Sequence, residues 1–304
     1  MDHISIIIVH FNTPKETRDC LESLVKINMP RIRLKIIVVD NGSKKVFNLP
    51  KNFTKNKVDL IRSESNLGFT GGNNLGISHA VKEYNSDYFM LLNSDTLVEP
   101  NFLIELLNTL KNNPEAGLVA PKIYFAPNYE FHKKSYLKTQ RGRVLWYAGG
   151  SIDWLNLTAF HRGVDELDRG QFDTQSESDF ATGCCLLFKR DVIEKAGILD
   201  KKYFLYFEDV DFSLKAKKKG FKILFEPKSI IWHLNAGSSG GSGSSLHQYY
   251  QTRNRLLFTF KHARKRIKLT ALRLLFNLLF KGNNTERKAV IDLILQRYGK
   301  QRVY

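Results

Sequence analysis

The sequence has few cysteines, and their spacing does not suit disulfide bonds or zinc binding. Its three cysteines, Cys20, Cys184 and Cys185, include two adjacent residues, between which a disulfide bond would be strained. There is no Cys-x-x-Cys pair and no Cys/His spacing suited to zinc. These absences exclude a disulfide framework and a zinc module, and they predict a reducing, cytoplasmic setting.

Long apolar runs are also lacking. No stretch of 18 consecutive apolar residues is present, so no transmembrane helix is expected. The apolar run at residues 4–9 is too short for a secretory signal, and no basic segment or small-residue cleavage site accompanies it. At 304 residues the chain can bury the core of one large domain, alone or with an appendage.

Acidic residues are scarce at the C-terminal end. Residues 253–304 contain fourteen Lys and Arg but two acids, and so carry +12 of the formal net charge of +17. Charged and apolar residues alternate there in two predicted helices, residues 246–265 and 267–280. Such basic amphipathic helices are typical of segments that bind an anionic membrane surface; helices packed on the protein with a solvated basic face are the alternative. No nucleic-acid-binding module is recognisable, so nucleic acid is not an expected partner.

Strands alternate with helices through the first half of the chain, which predicts an α/β fold with a mainly parallel sheet flanked by helices. We predict a catalytic domain at residues 1–245, with halves of about 1–121 and 122–245, and a basic helical extension at 246–304. A Gly/Ser-rich loop is expected at residues 237–245. The predicted strands are residues 4–9, 34–39, 58–61, 88–93, 119–120, 181–188, 222–225 and 229–232, and the predicted helices before the extension are residues 15–27, a segment through Ala80 and Tyr84, 100–111, 191–196 and one from near Glu208.

Polar clusters follow three of the predicted strands, namely Asn12-Thr13, Asp40-Asn41 and Asn93-Ser94-Asp95. The carboxyl ends of parallel strands lie at one edge of a sheet, so these clusters are expected to meet in one crevice. Ordinary turn chemistry explains any one cluster but explains three less well. The Gly/Asn-rich residues 66–76 add backbone that can approach a ligand closely. Neither a P-loop nor a GxGxxG motif after the first strand is present, which disfavours a dinucleotide site.

Two groups of residues could carry chemistry. Asp95 could hold Mg²⁺ or Mn²⁺ together with diphosphate oxygens, and His233 could add a ligand; a satisfied core histidine is the alternative. Glu208, Asp209 and Asp211 lie at the start of a predicted helix, where acids also stabilise the helix dipole. The aromatic residues 203–207 before them would form a partly desolvated wall. A carboxylate in such a site can accept a proton from a hydroxyl group.

Taken together, these residues resemble the inverting glycosyltransferases of family 2, which have the GT-A fold, and among them the bacterial rhamnosyltransferase-like enzymes. The resemblance spans about residues 3–260. It rests on Val39-Asp40-Asn41-Gly42-Ser43, Asn66-Leu67-Gly68-Phe69, Gly72-Asn73-Asn74, Asn93-Ser94-Asp95, Glu208-Asp209-Val210-Asp211 and Trp232-His233. Ala148-Gly149-Gly150, His161-Arg162-Gly163 and Asp168-Arg169-Gly170-Gln171 also look like this subgroup.

The resemblance implies roles for individual positions. Asp209 resembles the catalytic base, and Asp95 and His233 resemble the contacts to a divalent cation, although Asn93 replaces the first acid of the family's DxD motif. Asp40 resembles the acid that reads the nucleotide base. The implied nucleotide contacts are Asn12, Asp40, Asn66, Gly68, Asn73, Asn74, Asn93 and Ser94, and the implied contacts to donor sugar or acceptor are Glu208, Gly149, Gly150 and Trp232.

The implied reaction moves a sugar, with rhamnose as one candidate, from a dTDP- or UDP-sugar to a hydroxyl of a glycan or lipid-linked acceptor. The implied setting is bacterial surface polysaccharide synthesis at the inner face of the cell membrane. A nucleotidyltransferase is the alternative enzyme, but it would need a basic Gly-rich loop after the first strand. A catalytically silent nucleotide-sugar-binding protein is the alternative outside enzymes, and it would have no need of Asp95, Asp209 and His233.

Overall fold

The computed structural model describes residues 1–27, 29, 32–50, 53, 57–235 and 243–303. In this part of the chain, a ten-stranded mixed sheet is flanked by helices and accompanied by a two-stranded sheet. The first half contains β1 (Asp2–His10), α1 (Pro14–Val25), β2 (Ile32–Asn41), β3 (Val58–Ser63), α2 (Gly68–Tyr84), β4 (Tyr88–Asn93), β5 (Thr96–Val98), α3 (Phe102–Asn112) and β6 (Ala116–Phe125).

The second half starts with short strands and ends with helices. Its strands are β7 (Leu145–Tyr147), β8 (Gly150–Asp153), β9 (Thr158–His161), β10 (Ser176–Glu177), β11 (Cys185–Lys189) and β12 (Lys222–His233). Its helices are α4 (Arg190–Ala196), α5 (Glu208–Lys218), α6 (Ser245–His262), α7 (Lys265–Lys281) and α8 (Asn284–Ile294). Among the described residues, no helix is both long and apolar enough to cross a membrane.

The strand order of the large sheet is β10-β12-β6-β11-β4-β1-β2-β3, with β5 paired to β12 and β7 to β6. Strands β4, β1, β2 and β3 are parallel, whereas β11 runs antiparallel between β4 and β6. The predicted α/β class with a mainly parallel sheet is therefore confirmed. The ends of β1, β2 and β4 lie side by side, as the pairs His10/Asp40 and Val9/Asn93 show.

Apolar strands covered by helices explain the centre of this sheet. Residues 6–8 of β1 and 90–92 of β4 are buried, as expected for strands that have helices on both faces. Helix α2 packs closely on β1, and its glycines make this possible. A Cβ atom on Gly72 would lie 2.8 Å from Cγ1 of Val9, and one on Gly76 would collide with Ile7.

The structure corrects several predicted boundaries. Helix α2 begins at Gly68, within the Gly/Asn-rich residues 66–76, and its Gly72 and Gly76 face the sheet. The strands predicted at residues 222–225 and 229–232 are one strand, β12, with an irregularity between Glu226 and Ile230. The strand predicted at 181–188 begins only at Cys185. Helix α8 was not predicted, and most of the predicted Gly/Ser-rich loop, namely residues 237–242, lies outside the described residues.

The C-terminal helices pack on the rest of the protein. Leu256, Leu257 and Phe258 of α6 belong to the same core cluster as the strands of the sheet. The Phe258 ring stacks on Trp154 at 5.5 Å between centroids. Helix α6 is therefore continuous with the core, so no break in packing marks the boundary predicted at residue 245.

Candidate active site

A cavity of about 530 Å³ opens beside the carboxyl ends of β1, β2 and β4. This size lies within the range of small-ligand sites. Its lining includes Asn41, Asn66, Gly68, Asn93, Ser94, Asp95, His161, Glu208, Asp209 and His233. Three polar clusters were predicted to converge, and the two that follow β2 and β4 reach the same cavity. At the end of β1, Phe11 lines the cavity instead of the polar cluster.

Asp209 lies in the first turn of α5, at the wall of this cavity. Its Oδ2 accepts a hydrogen bond from the Gly183 backbone N–H at 2.8 Å, and its Oδ1 accepts one from Val210 N–H at 2.8 Å. Burial raises the pKa of Asp209, although these backbone hydrogen bonds oppose the rise. The site thus holds a carboxylate of increased proton affinity in a fixed orientation.

Glu208 lies beside Asp209 and is more strongly affected by its surroundings. Burial, followed by the neighbouring charge of Asp209, raises the pKa of Glu208 well above its ordinary value. Its buried Oε2 has no hydrogen-bond partner within the described part of the chain. Two acids with such a strong interaction cannot both be charged at low cost. The carboxyl group of Glu208 therefore has a higher proton affinity than that of an ordinary glutamate, and it lies on the wall of the cavity beside Asp209.

Asp95 and His233 meet because β5 pairs with β12, which places His233 opposite Thr96. His233 Nε2–H donates to Asp95 Oδ1 at 3.2 Å, and both side chains are largely buried. The Leu234 N–H donates to the Asp95 carbonyl at 2.8 Å and fixes the backbone of this pair. Two residues that are 138 positions apart in sequence therefore form one unit at the cavity wall.

The chemistry of this pair suits a hard divalent cation that receives further oxygen ligands from a diphosphate. A carboxylate and an imidazole are acceptable ligands for Mn²⁺, and Mg²⁺ commonly uses one or two protein carboxylates plus phosphate oxygens. His233 Nδ1 is buried and has no hydrogen-bond partner among the described residues. No group of three or more His, Cys, Asp or Glu with metal-site geometry occurs in the described ranges, so the protein alone does not complete a site.

The predicted nucleotide-binding residues fall into two groups. Asn66, Gly68, Asn93 and Ser94 line the cavity, and so does Asn41 of the cluster after β2, for which no role of its own was predicted. Asn41 joins the end of β2 to the start of α2, since its side chain accepts from Leu67 N–H and donates to the Gly68 carbonyl, both at 3.0 Å. The second group, Asn12, Asp40, Asn73 and Asn74, does not line the cavity.

The carboxylate of Asp40 is bonded to its own loop. It accepts hydrogen bonds from Ser43 N–H at 3.0 Å and Phe47 N–H at 3.2 Å, and it pairs with Arg62 at 2.8 Å. Burial alone would raise the pKa of Asp40, but these hydrogen bonds and the Arg62 charge outweigh burial and lower it. In this structure Asp40 therefore shapes the loop after β2 from behind the cavity.

The other residues of the second group also bond to the backbone. Asn73 Nδ2 donates to the Phe69 carbonyl at 2.9 Å and Asn74 Nδ2 to the Leu199 carbonyl at 2.8 Å. Asn12 has a φ of 57°, and its side chain accepts from Lys44 N–H at 2.9 Å. Asn12 lines a different cavity, of about 640 Å³, together with Arg18.

Of the predicted sugar contacts, only Glu208 lies on the cavity wall. Gly149 and Gly150 lie behind it, where a Cβ atom would collide with Arg162 and with the ring of Phe180, respectively. Trp232 points away, and its Nε1–H donates to the Gly142 carbonyl at 2.9 Å. His161 does line the cavity, and burial lowers its pKa to about 4, so it is neutral there.

The cavity residues that were not predicted include Trp146, Gly183, His247 and Gln251. A Cβ atom on Gly183 would lie 2.9 Å from the Phe69 ring, so the backbone N–H that binds Asp209 needs a glycine. His247 and Gln251 belong to α6, which was assigned to the extension. A glycine followed by an apolar strand was the one local signal for Gly183, and no local signal pointed to the other three.

The loop before α5 has an unusual backbone. Phe204, Tyr206 and Phe207 have φ angles of 67°, 67° and 69°, in the left-handed region. Each such residue that is not glycine costs about 1–2 kcal/mol, so tertiary contacts must hold the loop. Residues 204–207 all line the cavity, directly before Glu208 and Asp209.

Comparison with known proteins identifies a family that matches this chain. The model of the family described as "Glycosyltransferase like family 2" matches residues 2–259, which includes the sheet, the cavity and most of α6. This match covers most of the chain.

Two curated relatives are similar at low identity. The low-salt glycan biosynthesis hexosyltransferase Agl10 of Haloferax volcanii is 24% identical over 280 residues, which are 91% of this chain and 83% of the relative. The poly-beta-1,6-N-acetyl-D-glucosamine synthase of Staphylococcus epidermidis is 25% identical over 248 residues, 79% of this chain. The match spans about half of that synthase, 52% of its length.

A solved structure has the same fold. The crystal structure of GalNAc-T7 with UDP, GalNAc and Mn²⁺ matches with a TM-score of 0.58 and 16% sequence identity, and the match covers 93% of this chain and 58% of that chain. At this identity the likeness shows the fold alone, and it confirms the predicted GT-A fold.

Proposed function

Because this chain belongs to glycosyltransferase family 2, we propose that it transfers a sugar from a dTDP- or UDP-sugar to a hydroxyl of a glycan or lipid-linked acceptor, with inversion at the anomeric carbon. The curated relatives support a role in glycan or polysaccharide synthesis. The observation that carries the proposal is one cavity that has Asp209 on its wall together with the Asp95–His233 pair. We include rhamnose among the candidate sugars.

The reaction is a single displacement. Asp209 takes the proton of the acceptor hydroxyl, and that oxygen forms a bond to the anomeric carbon from the face opposite the leaving group. The bond between the anomeric carbon and the diphosphate oxygen breaks, and its electron pair leaves with the nucleoside diphosphate. The backbone N–H groups of Gly183 and Val210 each bind one oxygen of Asp209 and so fix the orientation of its carboxylate. Glu208, on the same wall of the cavity, is placed to bind a sugar or acceptor hydroxyl.

Asp95 and His233 are the residues that would hold the divalent cation, with the diphosphate as the remaining ligand. When bound, the cation supplies positive charge to the leaving diphosphate. Asn66 lies at the same cavity and offers its side-chain amide to the nucleotide, while Ser94 adds a hydroxyl.

The activity is tested by incubating the protein with a panel of UDP- and dTDP-sugars and measuring release of the nucleoside diphosphate and labelled product, with Mn²⁺ or with EDTA. We expect turnover of one or a few donors, and an inverted anomeric configuration in the product. If no sugar nucleotide in the panel is turned over and none raises the melting temperature, the proposed donor class is wrong.

Replacing Asp95 with asparagine is expected to remove the metal dependence of nucleotide binding. The raised melting temperature that UDP and Mn²⁺ produce together in the wild type should fall to the value measured in EDTA, because a carboxylate ligand is lost. Asp87→Asn is the matched control, since Asp87 is exposed just before the opposite end of β4. An unchanged response to Mn²⁺ in Asp95→Asn would show that Asp95 is a turn residue.

We also propose that the protein binds an anionic membrane surface at the cytoplasmic face, through α7. The helix has two faces. Ala271 and Leu275 are buried against the protein, but Leu269, Leu272, Phe276 and Phe280 are 61%, 41%, 48% and 69% exposed. Their spacing of three, four and four residues places them on one side of the helix. Large exposed apolar patches mark interaction sites.

The charges around this outward face favour an anionic partner. Lys265, Arg266 and Arg273 are exposed on α7, which contains no acid. The two acids of the C-terminal segment are occupied within the protein. Asp292 is buried, accepts from Tyr249 and pairs with Lys288, and the side chain of Glu286 caps the start of α8. Apolar side chains surrounded by uncompensated cations are the signature of a helix that lies in a lipid headgroup layer.

The double variant Leu272→Gln/Phe276→Gln of the full chain is expected to lose at least roughly tenfold in affinity for vesicles of phosphatidylcholine with 30% phosphatidylglycerol, because burying each side chain is worth roughly 1.5–3 kcal/mol. Co-sedimentation measures this. Leu155→Gln is the control, since Leu155 lies outside α7 and is more exposed, at 78%, than either replaced residue. Equal sedimentation of wild type and double variant, or preferential binding to nucleic acid, would exclude the outward face of α7 as a lipid contact.

A further inference from the structure

Helix α6 contacts the loop that carries the catalytic base. The carbonyl groups of residues 202, 203, 205 and 206 accept hydrogen bonds from two consecutive residues of this helix, Arg253 and Asn254, whose side chains are fully buried. Buried polar side chains of this kind need complete hydrogen bonding, and both have it.

Asn254 binds three carbonyls of the loop with one amide group. Its Nδ2 donates to the carbonyls of Tyr203, Leu205 and Tyr206 at 3.0, 2.7 and 2.9 Å. Its Oδ1 accepts from Arg253 Nε at 2.9 Å, which fixes the orientation of the amide. Only a donor can face three carbonyl oxygens, so a carboxylate of the same shape is incompatible with this position.

Arg253 extends the same contact to the neighbouring carbonyls. Its Nη2 donates to the carbonyls of Lys202 and Tyr203 at 3.0 and 2.9 Å, and its Nη1 donates to Gly299 at 2.9 Å. The guanidinium carbon lies 5.5 and 4.9 Å from the ring centroids of Tyr249 and Tyr250. The planar group with its fixed set of donors suits this arrangement, and a lysine cannot reproduce it.

The loop in turn joins two parts of the active site. The Phe204 carbonyl accepts from Thr70 N–H of α2 at 3.2 Å, and the Phe204 ring covers Gly68, where a Cβ atom would collide with it. At its other end the loop continues into Glu208 and Asp209. The position of residues 203–207 therefore sets the position of the base relative to the start of α2.

We propose that Arg253 and Asn254 are positioning residues for sugar transfer, which hold the left-handed loop so that Asp209 faces the bound donor. The expected effect on kcat rests on the proposed function. The expected effect on the loop rests on the contacts of α6 alone. It makes α6 a part of the active site rather than of a separate extension. His247 and Gln251, on the same helix, line the cavity as well.

The test uses the full chain with Arg253→Lys and Asn254→Asp, and with Arg255→Lys as control. Arg255 lies on the same helix but about 200° around it from Arg253. Hydrogen–deuterium exchange of residues 203–211 is measured, together with kcat and KM for whichever nucleotide sugar the wild type uses. Assays are run at a temperature at which circular dichroism shows each variant to be folded. Binding of UDP with Mn²⁺ is measured by calorimetry.

We expect exchange in residues 203–211 to rise about tenfold or more in both variants while the central strands are unchanged. The kcat should fall roughly tenfold to a hundredfold, with a smaller change in UDP affinity, because a displacement of about 1 Å is sufficient for such losses. The Arg255→Lys protein should match the wild type. Unchanged local exchange with kcat within twofold would overturn the inference, as would faster exchange throughout the sheet. A wild-type protein that turns over no nucleotide sugar would refute the proposed function, while local exchange would still decide whether α6 holds the loop.

Discussion

Replacing Asp209 with asparagine is expected to lower the kcat of sugar transfer by at least about 100-fold without unfolding the protein, because general base catalysis contributes roughly 10²–10⁴ to rate. The amide cannot take the proton of the acceptor hydroxyl. Stability should stay unchanged or rise. Burial raises the pKa of Asp209, which means that the folded protein disfavours the charged form, and asparagine resembles the neutral one.

The pH dependence gives a second measure of the same residue. Transfer requires ionised Asp209, so the rate should increase with pH through its pKa. Since burial raises that pKa, the rise should lie at higher pH than for an ordinary aspartate. Asp191→Asn is the matched control, because Asp191 also lies in the first turn of a helix, α4, but is exposed. Near wild-type transfer by Asp209→Asn with any acceptor would exclude it as the base. Equal losses of activity in Asp209→Asn and Asp191→Asn would show that Asp209 only stabilises the helix dipole.

The central sheet could be predicted because its signals are local. Uninterrupted apolar runs, such as residues 88–92, mark strands that are covered on both faces, and alternating helices imply parallel order. The contribution of β5 could not be predicted, since three residues carry no periodicity. Its pairing with β12 nevertheless brings Asp95 to His233. Ligand chemistry and the family resemblance both suggested those two residues as contacts to one cation, but no local pattern placed them side by side.

Only some of the candidate site residues were predicted correctly, because polar residues after strands can bind ligands or form the hydrogen bonds of a loop. Asn66, Asp95, Asp209 and His233 reach the cavity, whereas Asp40 is bonded to its own loop. The basic C-terminal segment shows the same ambiguity. In sequence Arg253 is one of many cations, but in the structure it is fully buried and Arg266 is exposed. Burial of a charge depends on distant carbonyls, which leave no pattern near the arginine.

Asp211 shows that acids at the start of α5 have different roles. Its carboxylate is fully buried and accepts from His262 Nε2 and Lys261 Nζ, both at 2.7 Å, and from the Tyr203 hydroxyl at 3.1 Å. Burial alone would raise the pKa of Asp211, but the hydrogen bonds from His262 and Lys261 outweigh burial and lower it. This carboxylate therefore joins α5 to the end of α6 and is ionised throughout the neutral range.

Replacing Asp211 with asparagine is expected to reduce the free energy of unfolding by about 3 kcal/mol, because removing one partner of a buried ion pair leaves the other uncompensated. Urea denaturation at neutral pH measures this loss. Asp200→Asn is the matched control, since Asp200 also pairs with Lys261 but is partly exposed; its loss should stay below about 1 kcal/mol.

The sign of the pH dependence follows from the lowered pKa of Asp211. The stabilisation is present above the pKa of an unfolded aspartate and is lost as pH falls through the lower folded value, so the difference between wild type and Asp211→Asn should shrink in acid. A difference that is below 1 kcal/mol at neutral pH, or that grows as pH falls, would show that Asp211 does not stabilise the junction of α5 and α6 as an ion.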